Sequence, residues 1–333
     1  MVKWLSYHES GLGASHRNPT MDALRIFACM GVILAHSAAM CFTIDVVKDG
    51  STEWMVCYAI KTVALWSVPL FAMLSGFFFL NPEKDLPLKK LYGRNTLRLV
   101  IALVFWTLFN AMTVHSRFYP FGGLETNFWY IGMCIGLYIS MPVLRLVAGN
   151  GKLLSYACWI WVAFRCYDYV GKFVDVPIVI TDHVFTEFMG YCLWGYYLSK
   201  LALDKKRASV VYLLGCVAAL AVVILPLLTD GKVSFEYADP APILATFAIF
   251  LFAVRHPLNP SEKAGKVLAH FSKATFGIYM AHSFVVIETF SRLYRIFPNP
   301  YVLIVVAFCV IFGLSYLITL VLKQIPVLKD WVV

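Results

Sequence analysis

Charge is scarce in this sequence. Only 14% of its 333 residues are Asp, Glu, Lys or Arg, while 60% are hydrophobic and the mean hydropathy is +0.74. Soluble domains carry about 25% charged and about 45–50% apolar residues, so this composition excludes an ordinary soluble enzyme and indicates a polytopic membrane protein. The first 22 residues hold Lys3, Glu9, His16 and Arg17 and no apolar core, which excludes a cleavable signal peptide and leaves the first span to act as its own insertion signal. The cysteines lie mostly inside apolar runs without any C-x-x-C, so they read as small hydrophobes, not a metal site or a disulfide framework. G-x-x-x-x-G-K-[ST], G-x-G-x-x-G, G-x-S-x-G and H-E-x-x-H are all absent, and no histidine cluster has metal-ligand spacing. A nucleotide-driven machine is thereby excluded. No internal repeat marks an inverted-repeat transporter.

What is present is a succession of apolar runs. A membrane-spanning helix needs about 20 mostly apolar residues. Runs near that length lie at 23–44, 54–80, 99–114, 128–147, 153–170, 184–201, 210–228, 242–254, 274–290 and 302–322. The third, fifth and eighth are the weakest; Arg165 and Asp168 interrupt the fifth. The expected fold is an all-α integral membrane protein of about ten transmembrane helices in a single domain, residues 1–333, with tails at 1–22 and 323–333.

The net charge of +9 follows from topology. Most Lys and Arg fall on one side of the alternating loops, among them Lys84, Lys89, Lys90, Arg94, Arg98, Arg145, Lys205, Lys206, Arg207, Lys263, Lys266 and Lys323. The opposite loops hold few bases (Lys48, Arg117, Arg165, Lys172, Lys232, Arg292, Arg295) and collect Asp45, Asp49, Glu53, Asp168, Asp175, Asp182 and Asp239. Positive-inside bias puts both termini in the cytoplasm and calls for no nucleic-acid partner.

An ionisable group at membrane depth costs a few kcal/mol and faces a cavity or a partner. Five residues qualify: Arg25, His36, Lys61, His282 and Glu288. Arg25 and His36 are eleven apart in "MDALRIFACMGVILAHSAAM", on one helical face and about 16 Å apart along its axis. Arg25 falls at the cytoplasmic boundary and His36 near mid-bilayer. A snorkelling arginine and a carbonyl-bonded histidine are the structural alternative. "NPEKDLPLKKLYGRNTLR" carries Arg94 and Arg98 at i, i+4, on one face if the third helix begins near Tyr92, suited either to gripping phosphate or to ordinary topology charge. "FGIYMAHSF" puts Tyr279 and His282 on one face of the ninth span, at the level of His36. Lys61 and Glu288 suit outward snorkelling and a span end.

These segments together resemble the bacterial membrane acyltransferase-3 family, in its stand-alone polysaccharide or enterobacterial-common-antigen O-acetyltransferase type. "MDALRIFACMGVILAH" is similar to its first-span pattern of Arg, ten residues and His. "SVPLFAMLSGFFFL", "FWYIGMCIGLYISMPVLR", "FMGYCLWGYYLS" and "FGIYMAH" resemble later family segments in the same order. The family's R-x-x-R before the third span appears here as R-x-x-x-R without the following proline; Arg94 is the better match, and Lys90 or Arg98 fills the second place.

The resemblance implies transfer of an acyl group, usually acetyl, from cytoplasmic acyl-CoA to a hydroxyl of a cell-envelope glycan or lipid-linked sugar, in the bacterial inner membrane. His36 would be the catalytic base, with an acyl-histidine relay as the variant, and its ordinary pKa of about 6.5 suits that work. Arg25, Arg94 and Arg98 would bind acetyl-CoA; Trp129, Tyr279 and His282 would be supporting or acceptor-side residues. Acyl-CoA, the saccharide acceptor and the lipid bilayer are the partners implied, no metal is called for, and a homo-oligomer is compatible with this. The alternative function is a transporter or flippase of a glycan or lipid intermediate.

Overall fold

A computed structural model describes residues 17–113, 128–174, 184–229 and 232–333. Lys3, Glu9, His16, Arg117, Asp175 and Asp182, used above, lie outside the described residues. Those described form helices and their connections, without a strand among them.

Local chemistry starts several of the helices. Asn18 accepts the Thr20 and Met21 amides at 3.0 and 3.2 Å and Pro19 follows it, so α1 (Pro19–Thr43) opens on a side-chain cap and a pre-set φ. Past its end, Asp45 takes φ 52 and Gly50 φ 74, turning the chain into α2 (Thr52–Val63), which Ser51 caps through Trp54 N–H at 3.1 Å. One 3-10 turn, Ala64–Trp66, joins α2 to α3 (Ser67–Phe79). Pro69 accounts for that turn, because it cannot donate to the Leu65 carbonyl and its ring crowds it.

A short helical piece (Leu88–Lys90) and a stretch of i→i+5 winding (Leu91–Thr96) precede α4 (Leu97–Thr113). Then come α5 (Trp129–Gly149), α6 (Gly151–Gly171, capped by Asn150), α7 (Val184–Lys200) and α8 (Lys205–Leu228, capped by Asp204). The last are α9 (Pro240–Arg255), α10 (Glu262–Ile296), α11 (Pro300–Leu322, capped by Asn299) and the short α12 (Pro326–Trp331).

Among the described residues, five segments are by length and composition able to cross a membrane: α1, α2–α3 taken together, α5, α8 and α11. The other apolar runs also fall on helices but miss that measure. Helices α4, α7 and α9 have 17, 17 and 16 described residues. Lys152, Arg165 and Asp168 interrupt α6, and both ends of the 35-residue α10 are charged. Helix α8 shows what its surroundings are. Leu213, Val217, Leu220, Ile224 and Leu228 form an exposed apolar stripe at i+3/i+4 spacing, while Gly215, Ala218, Val222 and Pro226 are buried. An apolar outer face is what a bilayer solvates.

The chain clusters into two compact units: residues 1–28, 66–85 and 141–272, and residues 29–65, 86–140 and 273–333. In the first, small residues set the spacing of neighbouring helices. A Cβ on Gly76 of α3 would lie 1.7 Å from the Cys192 carbonyl oxygen of α7, and one on Gly195 would lie 2.1 Å from the Met73 carbonyl oxygen. Gly215 of α8 meets the Ala248 methyl of α9 in the same manner. Close backbone approach through small residues is the usual device where lipid removes the hydrophobic drive between helices. Arg145 closes the end of α3, donating to Phe79 O at 2.7 Å and also to Lys84 O.

The interruption foreseen in α6 proves to be a buried ion cluster in this unit. Arg165 pairs with Asp168 one turn on, and with Glu187 of α7 at 3.4 Å. Nearby, Lys172 donates to both Asp239 oxygens at 3.1 and 3.0 Å. Burial pushes the Asp239 carboxyl above its ordinary range, against the pull of Lys172.

In the second unit, Trp106 of α4 donates to Val332 O at 3.3 Å, and Val332 and Val333 are buried. Lys61, expected to snorkel, is exposed and lies over the Phe42 ring at 5.9 Å, while Glu288 pairs with Arg292 one turn on at 3.6 Å.

Gly195→Ala forces a methyl into the Met73 backbone, and overpacking of this kind costs about 1–3 kcal/mol. A clearly lower unfolding temperature in detergent is therefore expected for Gly195→Ala. Gly313→Ala, whose Cβ would meet nothing within 4 Å, should match or exceed the parent. Equal melting of the two variants would contradict the close-contact account.

Candidate active site

Helix α1 carries both first-span residues singled out above, Arg25 in the first unit and His36 in the second. Arg25 belongs to a small network. Its guanidinium donates to the Ser272 hydroxyl at 3.2 Å, and that hydroxyl donates to Asp22 Oδ1 at 2.6 Å. Asp22 is buried and also accepts both Arg17 donors. The Arg25 guanidinium sits 3.8 Å from Asp22 and 5.3 Å above the Phe78 ring, with its side chain 31% exposed. One carboxylate and one hydroxyl thus aim a guanidinium that stays partly open. Charge-assisted contacts of this type fix orientation as well as charge.

In the second unit three of the predicted residues come together. The His36 and His282 rings lie 5.0 Å apart, edge to face at 75°. The Tyr279 ring is 5.2 Å from His282 and 5.1 Å from Tyr130 of α5. His282 is only 1% exposed, whereas His36 is exposed. His282 Nδ1 is bonded to the Tyr279 carbonyl, so in the neutral ring Nδ1 carries the hydrogen and Nε2 carries the lone pair. That Nε2 is buried and has no hydrogen-bond partner. A buried acceptor without a donor costs about 1–3 kcal/mol, which a donor arriving beside it would recover.

Helical winding runs through both Arg94 and Arg98, with i→i+5 turns at Arg94 and regular α-helix from Leu97, and the charge of Arg94 acts on Arg98. Arg94 is exposed. Arg98 donates to Val333 O at 2.5 Å and lies 4.9 Å over the Phe276 ring. Lys323, which donates to Lys273 O at 3.2 Å, joins them: burial and the neighbouring charges of Arg98 and Lys273 push its ammonium pKa down. Arg94, Arg98, Lys273 and Lys323 make one end of this unit rich in positive charge, with Asp330 as the acid near Arg98. Trp129 lies 6.2 Å from Tyr130, edge to face.

Tyr130, Asp22, Ser272 and the two lysines were not singled out from sequence. Tyr130 adjoins Trp129 in a quoted segment, and Asp22 stands at i−3 from Arg25, a helical-neighbour spacing. Ser272 is remote in sequence and carried no signal. No group of three or more His, Cys, Asp or Glu able to hold a metal occurs among the described residues.

A family model described as an acyltransferase domain matches residues 18–320, taking in both units and every residue named in this section except Arg17, Lys323, Asp330 and Val333. The chain belongs to the acyltransferase-3 family. No curated protein and no solved structure matches it. An acyltransferase-3 protein with several apolar helices is a multi-pass membrane acyltransferase, and the chain is one.

The Asp22–Ser272–Arg25 network yields a test. Ser272→Ala removes the hydroxyl that links carboxylate and guanidinium, and hydrogen bonds to charged groups are worth about 1.5–3 kcal/mol. Acyl transfer should fall about tenfold or more if Arg25 works through this aim, with Ser272→Thr retaining most of it. Full activity of Ser272→Ala in membrane vesicles would show that the network does not set Arg25.

Proposed function

We propose that this acyltransferase-3 protein moves an acyl group, acetyl in the simplest case, from cytoplasmic acyl-CoA to a hydroxyl of a cell-envelope glycan or lipid-linked sugar in a bacterial inner membrane. The observation that carries the reading is the histidine pair: an exposed His36 beside a buried His282 whose Nε2 lacks a donor. The acceptor hydroxyl attacks the thioester carbonyl carbon while His36 takes its proton. The C–S bond breaks, and the proton returns to the departing thiolate, giving the ester and free CoA. In the reacting state His282 Nε2 would take the N–H of His36 and so present the other imidazole nitrogen, lone pair outward, to the hydroxyl. Attack by His36 itself to give an acyl-histidine reaches the same products, and rapid quenching with labelled donor separates the two routes.

The donor's phosphates are assigned to cationic groups. Within the second unit Arg94, Arg98, Lys273 and Lys323 crowd like charges together; within the first, taken by itself, Arg25 is a separate candidate, held partly open by Asp22 and Ser272. Crowded cations have the chemistry of an anion site, since a phosphate relieves their mutual repulsion. The topology proposed with this reading has about ten crossings and both termini cytoplasmic, the short helices α4, α7 and α9 included. Its support is the positive-inside distribution of the loop bases.

Purified protein given radiolabelled acetyl-CoA and an envelope glycan should form labelled ester. His36→Ala should lower the rate by about a hundredfold or more, the usual contribution of a general base. Retained activity in that variant would overturn the assignment. CoA affinity should decline as pH rises through the lowered pKa of Lys323, because the protonated ammonium is the form that binds phosphate. Lys323→Arg should shift that decline to higher pH; an identical profile for the variant would remove Lys323 from the site.

A further inference from the structure

Two cysteines that the sequence reading treated as small hydrophobes meet in the second unit. Cys41 stands in the last turn of α1 and Cys57 in α2, and the two free thiols face one another closely enough to interact. Both are fully buried. Independent contacts place the same faces together. Phe42, next to Cys41, meets the Trp54 ring at 5.9 Å and lies under the Lys61 ammonium at 5.9 Å. Cys57 falls between Trp54 and Lys61 at i+3 and i−4, so all three point from one face of α2 toward the end of α1.

The connection is tightly built as well. Val46 N–H bonds Cys41 O at 2.9 Å, Ser51 N–H bonds Lys48 O at 3.0 Å, and Asp45 and Gly50 supply the positive φ values that the reversal needs. The two thiols are therefore held opposite each other by the fold and not by chance side-chain rotation.

We propose that Cys41 and Cys57 form a disulfide that ties the end of α1 to α2, five residues beyond His36. Each thiol gives up its hydrogen, the two sulfurs bond, and the pair of electrons and two protons pass to a thiol–disulfide oxidant, whose own disulfide is reduced to two thiols. In the folded protein the sulfurs are shielded, so the exchange takes place while the hairpin forms. The bond itself rests on the thiol contact. Its formation in the cell further rests on the proposed topology, which puts this end of α1 on the extracytoplasmic side, where such oxidants act. Once made, the bond closes residues 42–56 into a loop and restricts the unfolded chain.

The test is mass spectrometry of peptides from protein alkylated in denaturant. One sample is trapped directly from cells. A second is refolded in detergent with oxidised glutathione. A linked Cys41–Cys57 peptide, lighter by two hydrogens and lost on reduction, is expected in both. The unfolding temperature of the parent should drop on adding reductant, while that of Cys57→Ser should not move. Alkylation of both thiols in both samples would overturn the disulfide, as would linkage to any other cysteine. A linked peptide in the refolded sample with free thiols in the cellular one would uphold the pairing and overturn the proposed topology.

Discussion

A polar side chain at membrane depth has no water to turn to, and must find its partner inside the protein or keep a place for a ligand. Much of this structure follows from that constraint. Asp22 takes in Arg17 and Ser272, and Ser272 passes the contact to Arg25. Arg165, otherwise a serious defect in α6, is matched by Asp168 and Glu187. Arg145 spends its donors on carbonyls left open where α3 ends. The buried His282 Nε2 is left without a hydrogen-bond partner, and it lies beside His36.

The second device is close approach. Gly76 and Gly195 let α3 and α7 touch backbone to backbone, and Gly190 leaves room for the Trp161 ring of α6. Three of the segments quoted above thus divide by purpose. "SVPLFAMLSGFFFL" and "FMGYCLWGYYLS" are a packing contact within one unit, whereas "FGIYMAH" delivers Tyr279 and His282 to the histidine pair of the other.

Charge was assigned too simply by loop-counting alone. The same rule that collects bases on one side also crowds Arg98, Lys273 and Lys323, residues far apart in sequence, until burial and mutual repulsion depress the Lys323 ammonium. Topology and ligand binding are not competing accounts of these residues. Lysines gathered by the first are available to the second.

The sequence by itself determined that the chain is helical and membrane-borne, because apolar runs of spanning length and their caps are local properties of contiguous residues. It also singled out Arg25, His36, Tyr279 and His282, since an ionisable group inside an apolar run is conspicuous without any structure. It left open how the chain winds at Arg94 and Arg98, where i→i+5 turns pass into regular α-helix at Leu97. Only the tertiary structure decided that His36 and His282 are neighbours, that Tyr130 adjoins Tyr279, that Ser272 aims Arg25, and that Cys41 meets Cys57. Each of these pairs joins different helices, and how one helix rotates against another is set by side-chain packing that no local pattern encodes.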